Sequence, residues 1–232
     1  MLRSTSTGSL PPAMQVKICG VTTPTELRLL EQAGVNYAGL WFGMPQGRYS
    51  LERDSLLTLA RAPLARLRCI GVTTASEPEQ IADVVRGTGM AGVQLHGFQL
   101  PRMVQSLKQR LDDRLELFKV LHVQAGKCLE QPLLRQYAAS GVDAFILDNF
   151  ISRRQPGSTG ERIPTTVVAE LVELLGAERL FLAGGMDAER IRVLRAGWPL
   201  RGVDIDTGAR NPAGIDPQRV RAIVAAAGAS QE

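Results

Sequence analysis

The chain has 232 residues, 44% hydrophobic and 22% charged, and its 27 Lys and Arg residues against 23 Asp and Glu give a net charge of +4. These values exclude a disordered chain, and since no run of about 18 apolar residues occurs, no membrane-spanning helix is predicted. The basic residues are scattered and only 5% of the residues are aromatic, so no nucleic-acid surface is predicted. Three widely spaced cysteines provide neither a disulfide framework nor a metal knuckle, which favours a cytoplasmic protein.

Short apolar segments alternate with helical ones along most of the chain. Residues 1–13 are rich in Ser, Thr, Pro and Gly, and they predict a flexible N-terminal tail ahead of one domain, 14–232. The predicted strands are 14–19, 36–42, 68–73, 91–95, 115–121, 142–148, 179–184 and 202–206. The predicted helices are 24–33, 53–62, 76–86, 101–111, 129–139, 165–175, 187–195 and a last one from 216. Thr23 and Glu26 fit a capping box at the start of the first helix.

This strict alternation of eight strands and eight helices defines the fold class. The strands are continuous apolar runs, which are typical of parallel strands covered on both faces. Eight such units within about 220 residues fit a (β/α)8 TIM barrel better than a doubly wound sheet. No linker-like change of composition divides the chain, so a single α/β domain is predicted.

The predicted barrel also indicates where chemistry should occur. Functional residues of such barrels lie at the C-terminal ends of the strands and in the loops that follow. That edge brings together Cys19 after the first strand, His96 after the fourth and Asp148 at the end of the sixth. It also collects polar and glycine residues, namely Lys17, Arg48, Gly184, Gly185, Asp204, Asp206, Thr207 and Gly208.

Three segments at this edge resemble one enzyme family. KICGVT at 17–22, QLHG at 94–97 and LAGG at 182–185 are similar to segments of phosphoribosylanthranilate isomerases of tryptophan biosynthesis, and the resemblance spans 15–226. It implies an Amadori rearrangement, in which N-(5-phosphoribosyl)anthranilate becomes 1-(o-carboxyphenylamino)-1-deoxyribulose 5-phosphate. The family's reaction requires neither a metal nor a cofactor, and its partner is a small phosphosugar substrate. A monomer or a homodimer is expected.

The resemblance also implies a role for each of two catalytic residues. Cys19 is the expected general base that removes a proton from carbon, and Asp148 the general acid that opens the sugar ring. Burial would raise the pKa of Asp148 far enough for it to hold a proton near neutrality. Lys17, two residues before the cysteine on the same strand face, would help the thiol to ionise.

Substrate contacts are expected at both ends of the site. The resemblance places Arg48 against an aromatic carboxylate, which a guanidinium group can bind with two hydrogen bonds. Lys17 and Asp204 are expected beside the substrate, and His96 either lines the site or orders the turn 94–97. Backbone N–H groups would bind the phosphate. The residues assigned to that role are Gly184, Gly185, Thr207 and Gly208, with 157–160 as a further candidate segment.

Two departures from the family pattern leave other functions open. The segment 161–165 lacks the aromatic and acidic residues usual there, and Asp206 stands where the family has serine. A carboxylate ~4 Å from a phosphate would cost about 4 kcal/mol at an effective dielectric constant of ~20, unless a residue such as Arg210 pairs with it. The alternatives are a paralogous enzyme that uses Cys19 and Asp148 on another sugar or aminosugar, or a catalytically silent barrel that binds a metabolite.

Overall fold

The computed structural model describes residues 13–44, 47–152, 155–156 and 163–228, with no side chains given for 151, 152, 155 and 156. Apart from the exposed Ala13, the predicted tail 1–13 lies outside these ranges, and so does the candidate phosphate segment 157–160. Within them, no helix has both the length and the apolar character needed to cross a membrane.

Eight parallel strands form a closed barrel. They are β1 (Gln15–Ile18), β2 (Tyr37–Trp41), β3 (Arg68–Thr73), β4 (Gly92–Leu95), β5 (Glu116–Gln124), β6 (Ala144–Ser152), β7 (Leu180–Leu182) and β8 (Gly202–Ile205). Each strand pairs in parallel with the next one in the sequence. The pairing of β1 with β8 closes the sheet, and the predicted (β/α)8 TIM barrel is confirmed.

Within the described ranges, eight α-helices follow the strands in turn. They are α1 (Pro24–Gln32), α2 (Arg53–Ala60), α3 (Pro78–Thr88), α4 (Pro101–Lys108), α5 (Leu134–Ala139), α6 (Thr165–Leu175), α7 (Ala188–Gly197) and α8 (Pro217–Ala227). The capping box of α1 is confirmed: the Thr23 hydroxyl accepts the Glu26 N–H at 3.2 Å, and the Glu26 carboxylate accepts the Thr23 N–H at 3.1 Å. The predicted helix 129–139 is shorter, because its first residues form the 3-10 turn Gln131–Leu133.

The strands separate two apolar cores. Alternate residues of β5 show the division, since Phe118 and Val120 pack inside the barrel while Leu117 and Leu121 pack against the helices. The inner core consists of Tyr37, Ile70, Phe118, Val120, Ala144, Ile146, Phe181 and Ala183. This filled interior confines a ligand site to the ends of the barrel.

Strands β5 and β6 extend beyond their predicted ends. They run to Gln124 and Ser152 rather than to 121 and 148, so the placement of Asp148 at the end of a strand is wrong. The two strands continue as a paired ribbon in which His122 lies opposite Asp148. Glu130 supports this ribbon, because its carboxylate accepts the His122 backbone N–H at 2.8 Å and lies 2.5 Å from His122 Nδ1.

Candidate active site

A cavity opens at the C-terminal edge of the barrel, where the sequence placed the chemistry. Its empty space amounts to about 580 Å³ including the mouth, which suits a small-molecule ligand. The residues that line it are Cys19, Trp41, Met44, His96, Asp148, Ala183, Gly184, Gly185, Met186, Asp204, Ile205, Asp206, Thr207 and Gly208. Both predicted catalytic residues and all four predicted phosphate residues are among them.

Cys19 follows β1 and is buried beneath the cavity. Its sulfur accepts a hydrogen bond from the indole N–H of Trp41 at 3.0 Å. Burial raises the pKa of the Cys19 thiol to about 11, and the negative charge of Asp204 also raises it. The positive charge of Lys17 acts in the opposite direction and lowers it. The expected help from Lys17 is therefore present, but burial outweighs it.

Lys17 and Asp204 form a buried ion pair beside this thiol. The ammonium group donates to the two carboxylate oxygens at 2.9 and 3.0 Å, and both side chains are less than a tenth exposed. Burial opposes the charge on Lys17, but the contact with Asp204 more than offsets it and raises the pKa of the lysine. Asp204 lines the cavity, whereas Lys17 lies behind it, so a direct contact of Lys17 with a substrate is not favoured by this arrangement.

Asp148 faces the same cavity from β6. Burial, reinforced by the negative charge of Asp204, raises the pKa of Asp148 to about 7, as the acid role requires. His96 Nε2 lies 3.7 Å from Asp148 Oδ2. Burial also lowers the pKa of His96 to about 3, so the imidazole is neutral at physiological pH.

The contact of His96 with Gln94 bears on its tautomer. The Gln94 side-chain nitrogen lies 3.0 Å from His96 Nδ1, and with the amide oriented this way it donates there, which corresponds to a ring proton on Nε2. That proton points towards the side of the ring where Asp148 lies. His96 thus both lines the cavity and makes a contact within the turn 94–97, and the two predicted alternatives apply together.

The loops after β7 and β8 form the opposite wall of the cavity. Gly184 and Gly185 have φ angles of +80° and +59°, a region that favours glycine. A Cβ at Gly208 would overlap the carbonyl oxygen of Met186, so the two loops approach each other there as only glycine allows. Arg190 Nη1 also donates to the carbonyl oxygens of Gly184, at 3.2 Å, and Gly185, which fixes this loop to α7.

Asp206 is held between two arginines at the rim. Its Oδ2 accepts from Arg48 Nη2 at 2.6 Å, and its Oδ1 accepts from Arg210 Nε at 2.9 Å. Arg210 is itself anchored, because Nη2 donates to the carbonyl oxygens of Cys19 and Gly20 at 2.9 and 2.7 Å. The charge of Asp206 is thus compensated, and the expected repulsion of a phosphate loses its basis.

Arg48 lies at the exposed rim of the site. It is not among the described residues that line the cavity, and its guanidinium group rests on the Tyr49 ring, 4.6 Å from the ring centre. The Arg210 guanidinium lies over the same ring at 4.3 Å. Arg48 is 55% exposed, whereas Asp206 is 19% exposed, so this pair forms part of the open rim.

Two contributors to the site were missed in the sequence. Trp41, the donor to Cys19, looked like an ordinary strand residue, although its place at the end of β2 was a usable signal. Glu130 lies in the loop after β5 without a motif, and only the fold brings it to His122. Across the described part of the chain, no group of three or more His, Cys, Asp or Glu side chains is arranged to hold a metal ion.

Comparison with known proteins is consistent with this geometry. Residues 16–226 match the family model of N-(5'phosphoribosyl)anthranilate (PRA) isomerase. A relative of that name from Acetivibrio thermocellus is 28% identical over 210 residues, covering 89% of this chain and 92% of its own length. Another from Thermosynechococcus vestitus is 29% identical over 229 residues, covering 97% and 92%.

Solved structures share the same fold. The phosphoribosyl anthranilate isomerase of Thermotoga maritima superposes with a TM-score of 0.77 at 20% identity, covering 93% of this chain and 98% of the other. The enzyme of Thermococcus kodakaraensis gives 0.74 at 23% identity, covering 94% and 100%. Since the family model spans nearly the whole described barrel, this chain belongs to the N-(5'-phosphoribosyl)anthranilate isomerase family.

Proposed function

We propose that this chain is a cytoplasmic isomerase that converts N-(5'-phosphoribosyl)anthranilate to 1-(o-carboxyphenylamino)-1-deoxyribulose 5-phosphate. The observation that carries the proposal is the pair of proton-transfer groups, Cys19 and Asp148, on one cavity of suitable size. The relatives named above carry that activity in their names, and a structure of one such enzyme holds the reduced product. That enzyme has the same fold as this chain, with a TM-score of 0.73.

The first chemical step falls to Asp148. A pKa of about 7 leaves a substantial protonated fraction at neutral pH, so this carboxyl group can deliver a proton to the ribose ring oxygen. The bond between that oxygen and C1 breaks, and the lone pair of the anthranilate nitrogen forms the C1=N bond of a Schiff base. His96, neutral and protonated on Nε2, lies beside the carboxylate that remains.

The second step falls to Cys19. Its thiolate removes the proton from C2, and the electrons of that C–H bond form a C1=C2 double bond as the nitrogen regains its lone pair. The resulting enolamine then tautomerises to the aminoketose, so that atoms and charge balance without a redox partner. Trp41 and Lys17 stabilise the thiolate, since the hydrogen bond of the one and the charge of the other both lower the pKa of Cys19.

The substrate's two anionic groups are assigned to the rim. The backbone around Gly184, Gly185, Thr207 and Gly208 binds the phosphate, next to a wall that admits close approach of an anion. Arg48 binds the carboxylate of the anthranilate ring, as a guanidinium does with two hydrogen bonds. The compensation of Asp206 by two arginines removes the observation that favoured an unphosphorylated substrate.

Turnover of the purified chain tests the proposal. The wild-type protein should form the aminoketose from N-(5'-phosphoribosyl)anthranilate and should restore growth to a tryptophan auxotroph that lacks this isomerase. Cys19→Ala and Asp148→Asn should each lower kcat by at least ~100-fold. Cys69→Ala is the matched control, because Cys69 is a buried thiol whose pKa is also raised to about 11, but it lies outside the cavity. Wild-type inactivity, or variants with near-normal rates, would contradict the proposal.

A further inference from the structure

The connection of Arg48 to the barrel differs from that of the neighbouring Arg210. Arg210 is 10% exposed and donates to two backbone carbonyl oxygens as well as to Asp206. Arg48 is 55% exposed, and its guanidinium group donates to Asp206 and rests on the Tyr49 ring. Arg210 is therefore a fixed part of the rim, while Arg48 is an exposed side chain held at its tip by a carboxylate and an aromatic ring.

Of the ion pair between Arg48 and Asp206, Asp206 is the member that an incoming ligand would contact first. It lines the cavity, while Arg48, bound to its outer side, is absent from the described lining residues. A ligand carboxylate that binds Arg48 with two hydrogen bonds therefore competes with Asp206 for the same guanidinium group. Such an exchange requires little free energy, because exposed ion pairs are worth about 1 kcal/mol or less and one carboxylate replaces another.

Arg210 keeps Asp206 compensated after such an exchange. It binds Oδ1, the oxygen that Arg48 does not use, at 2.9 Å. If Arg48 leaves, Asp206 still has a charged partner, and no bare carboxylate is left next to the phosphate loops. Breaking a buried ion pair whose remaining charge has no second partner would cost far more free energy.

We propose that Asp206 is a specificity-determining residue that competes with the substrate's aromatic carboxylate for Arg48. Asp206 holds the guanidinium at the rim, and a ligand carboxylate competes with it for Arg48. Ligands without a carboxylate leave the pair intact. This inference rests on the proposed function for the identity of the ligand, but it concerns a residue that takes no part in the proton transfers.

Calorimetry with two matched ligands tests the competition. One ligand is reduced 1-(o-carboxyphenylamino)-1-deoxyribulose 5-phosphate, and the other is its counterpart with an unsubstituted phenyl ring. Asp206→Asn should tighten binding of the carboxylated ligand by about threefold to fivefold relative to its counterpart, the range expected for release of an exposed ion pair. Any effect of Asp206 on the phosphate is common to both ligands and cancels in this ratio.

Two controls make the result specific. Glu26→Gln removes a carboxylate that lies 3.7 Å from Arg210, whereas Arg48 pairs with Asp206, so this variant should leave the ratio unchanged. In an Arg48→Ala background, Asp206→Asn should no longer change the ratio. A ratio that falls or stays constant in Asp206→Asn, or one that rises equally in Glu26→Gln, would overturn the proposal.

The outcome is separable from the failure of the proposed function. If the wild-type chain does not turn over N-(5'-phosphoribosyl)anthranilate but the ratio changes as expected, the competition holds and the assigned reaction is wrong. If turnover is normal and the ratio does not change, the reaction holds and Asp206 does not compete for Arg48.

Discussion

Lys17 and Asp204 neutralise each other directly beside the thiol of Cys19, with 2.9 Å and 3.0 Å between the ammonium nitrogen and the two carboxylate oxygens. The two charges act on the thiol in opposite directions, since Lys17 lowers the pKa of Cys19 and Asp204 raises it. The pair therefore influences how easily the thiolate of Cys19 forms.

The first prediction changes each member of this pair. Asp204→Asn should lower the pKa of Cys19 below about 11, because it removes a negative charge and leaves Lys17 unopposed, whereas Lys17→Met should raise it. The rate of alkylation against pH, in a Cys69→Ala, Cys128→Ala background, reports the thiol pKa. Since an unpaired buried lysine can cost 3–5 kcal/mol, the double variant Asp204→Asn, Lys17→Met supplies a neutral reference that should fold. Shifts of the same sign in both single variants would contradict this account.

The second prediction concerns the pH dependence of kcat/KM, which reports the free enzyme. Asp148, the proposed acid, has a pKa of about 7, and Cys19, the proposed base, has a pKa of about 11. The proposed reactive form, thiolate with protonated carboxyl, is therefore a minority at every pH. Its population rises up to about pH 7, stays level, and falls above about pH 11.

Asp148→Asn provides the check on that assignment. Without the carboxyl group, the residual rate should follow the thiol alone and rise towards about pH 11, with no level region from pH 7. A rising limb that remains near pH 7 in this variant would show that another group titrates there.

The third prediction concerns stability. The pKa of Asp148 is raised from 3.8 to about 7 in the folded protein, so the folded state holds a proton that the unfolded state releases between those values. The free energy of unfolding therefore decreases as pH rises through this window, by up to about 4 kcal/mol. The Asp148→Asn variant has a side chain at this position that does not titrate. The free energy of unfolding of this variant, minus that of the wild-type protein, should therefore increase from pH 4 to pH 7.5. Denaturant unfolding at both pH values measures the difference, and an equal difference at both would contradict the raised pKa.

Much of the fold and the outline of the site could be predicted, because both depend on local pattern. Each buried strand is a continuous apolar run, and parallel strands place their C-terminal ends on one edge, which brought Cys19, His96 and Asp148 together. The pairing of Arg48 with Asp206 could not be predicted in the same way. It joins residues 158 positions apart, and it depends on the direction in which two rim side chains turn.

Electrostatic consequences of burial were predictable only in part. The raised pKa of Asp148 follows from the apolar residues around it, whereas the effect of Lys17 on Cys19 depends on a third residue, Asp204, that neutralises the lysine. The spacing of residues along the sequence indicates which face of a strand a side chain occupies. It does not indicate which residue a charged side chain pairs with. The same limitation applies to Trp41, whose hydrogen bond to Cys19 requires two neighbouring strands in a particular register.

The fourth prediction tests the wall formed by the loops after β7 and β8. A methyl group at Gly208 would overlap the backbone carbonyl of Met186, and a backbone atom cannot move aside as a flexible side chain does. Gly208→Ala should therefore lower the free energy of unfolding by about 1–3 kcal/mol and weaken binding of the reduced product by at least about tenfold, because the loops must separate. Gly87→Ala in α3 is the matched control: a Cβ there meets no atom within 4 Å, and alanine favours a helix by up to about 1 kcal/mol. Calorimetry and denaturant unfolding of both variants measure these effects. If Gly208→Ala bound the ligand as tightly as Gly87→Ala, close approach of the two loops would not be needed for phosphate binding, and the assignment of the phosphate to this wall would be wrong.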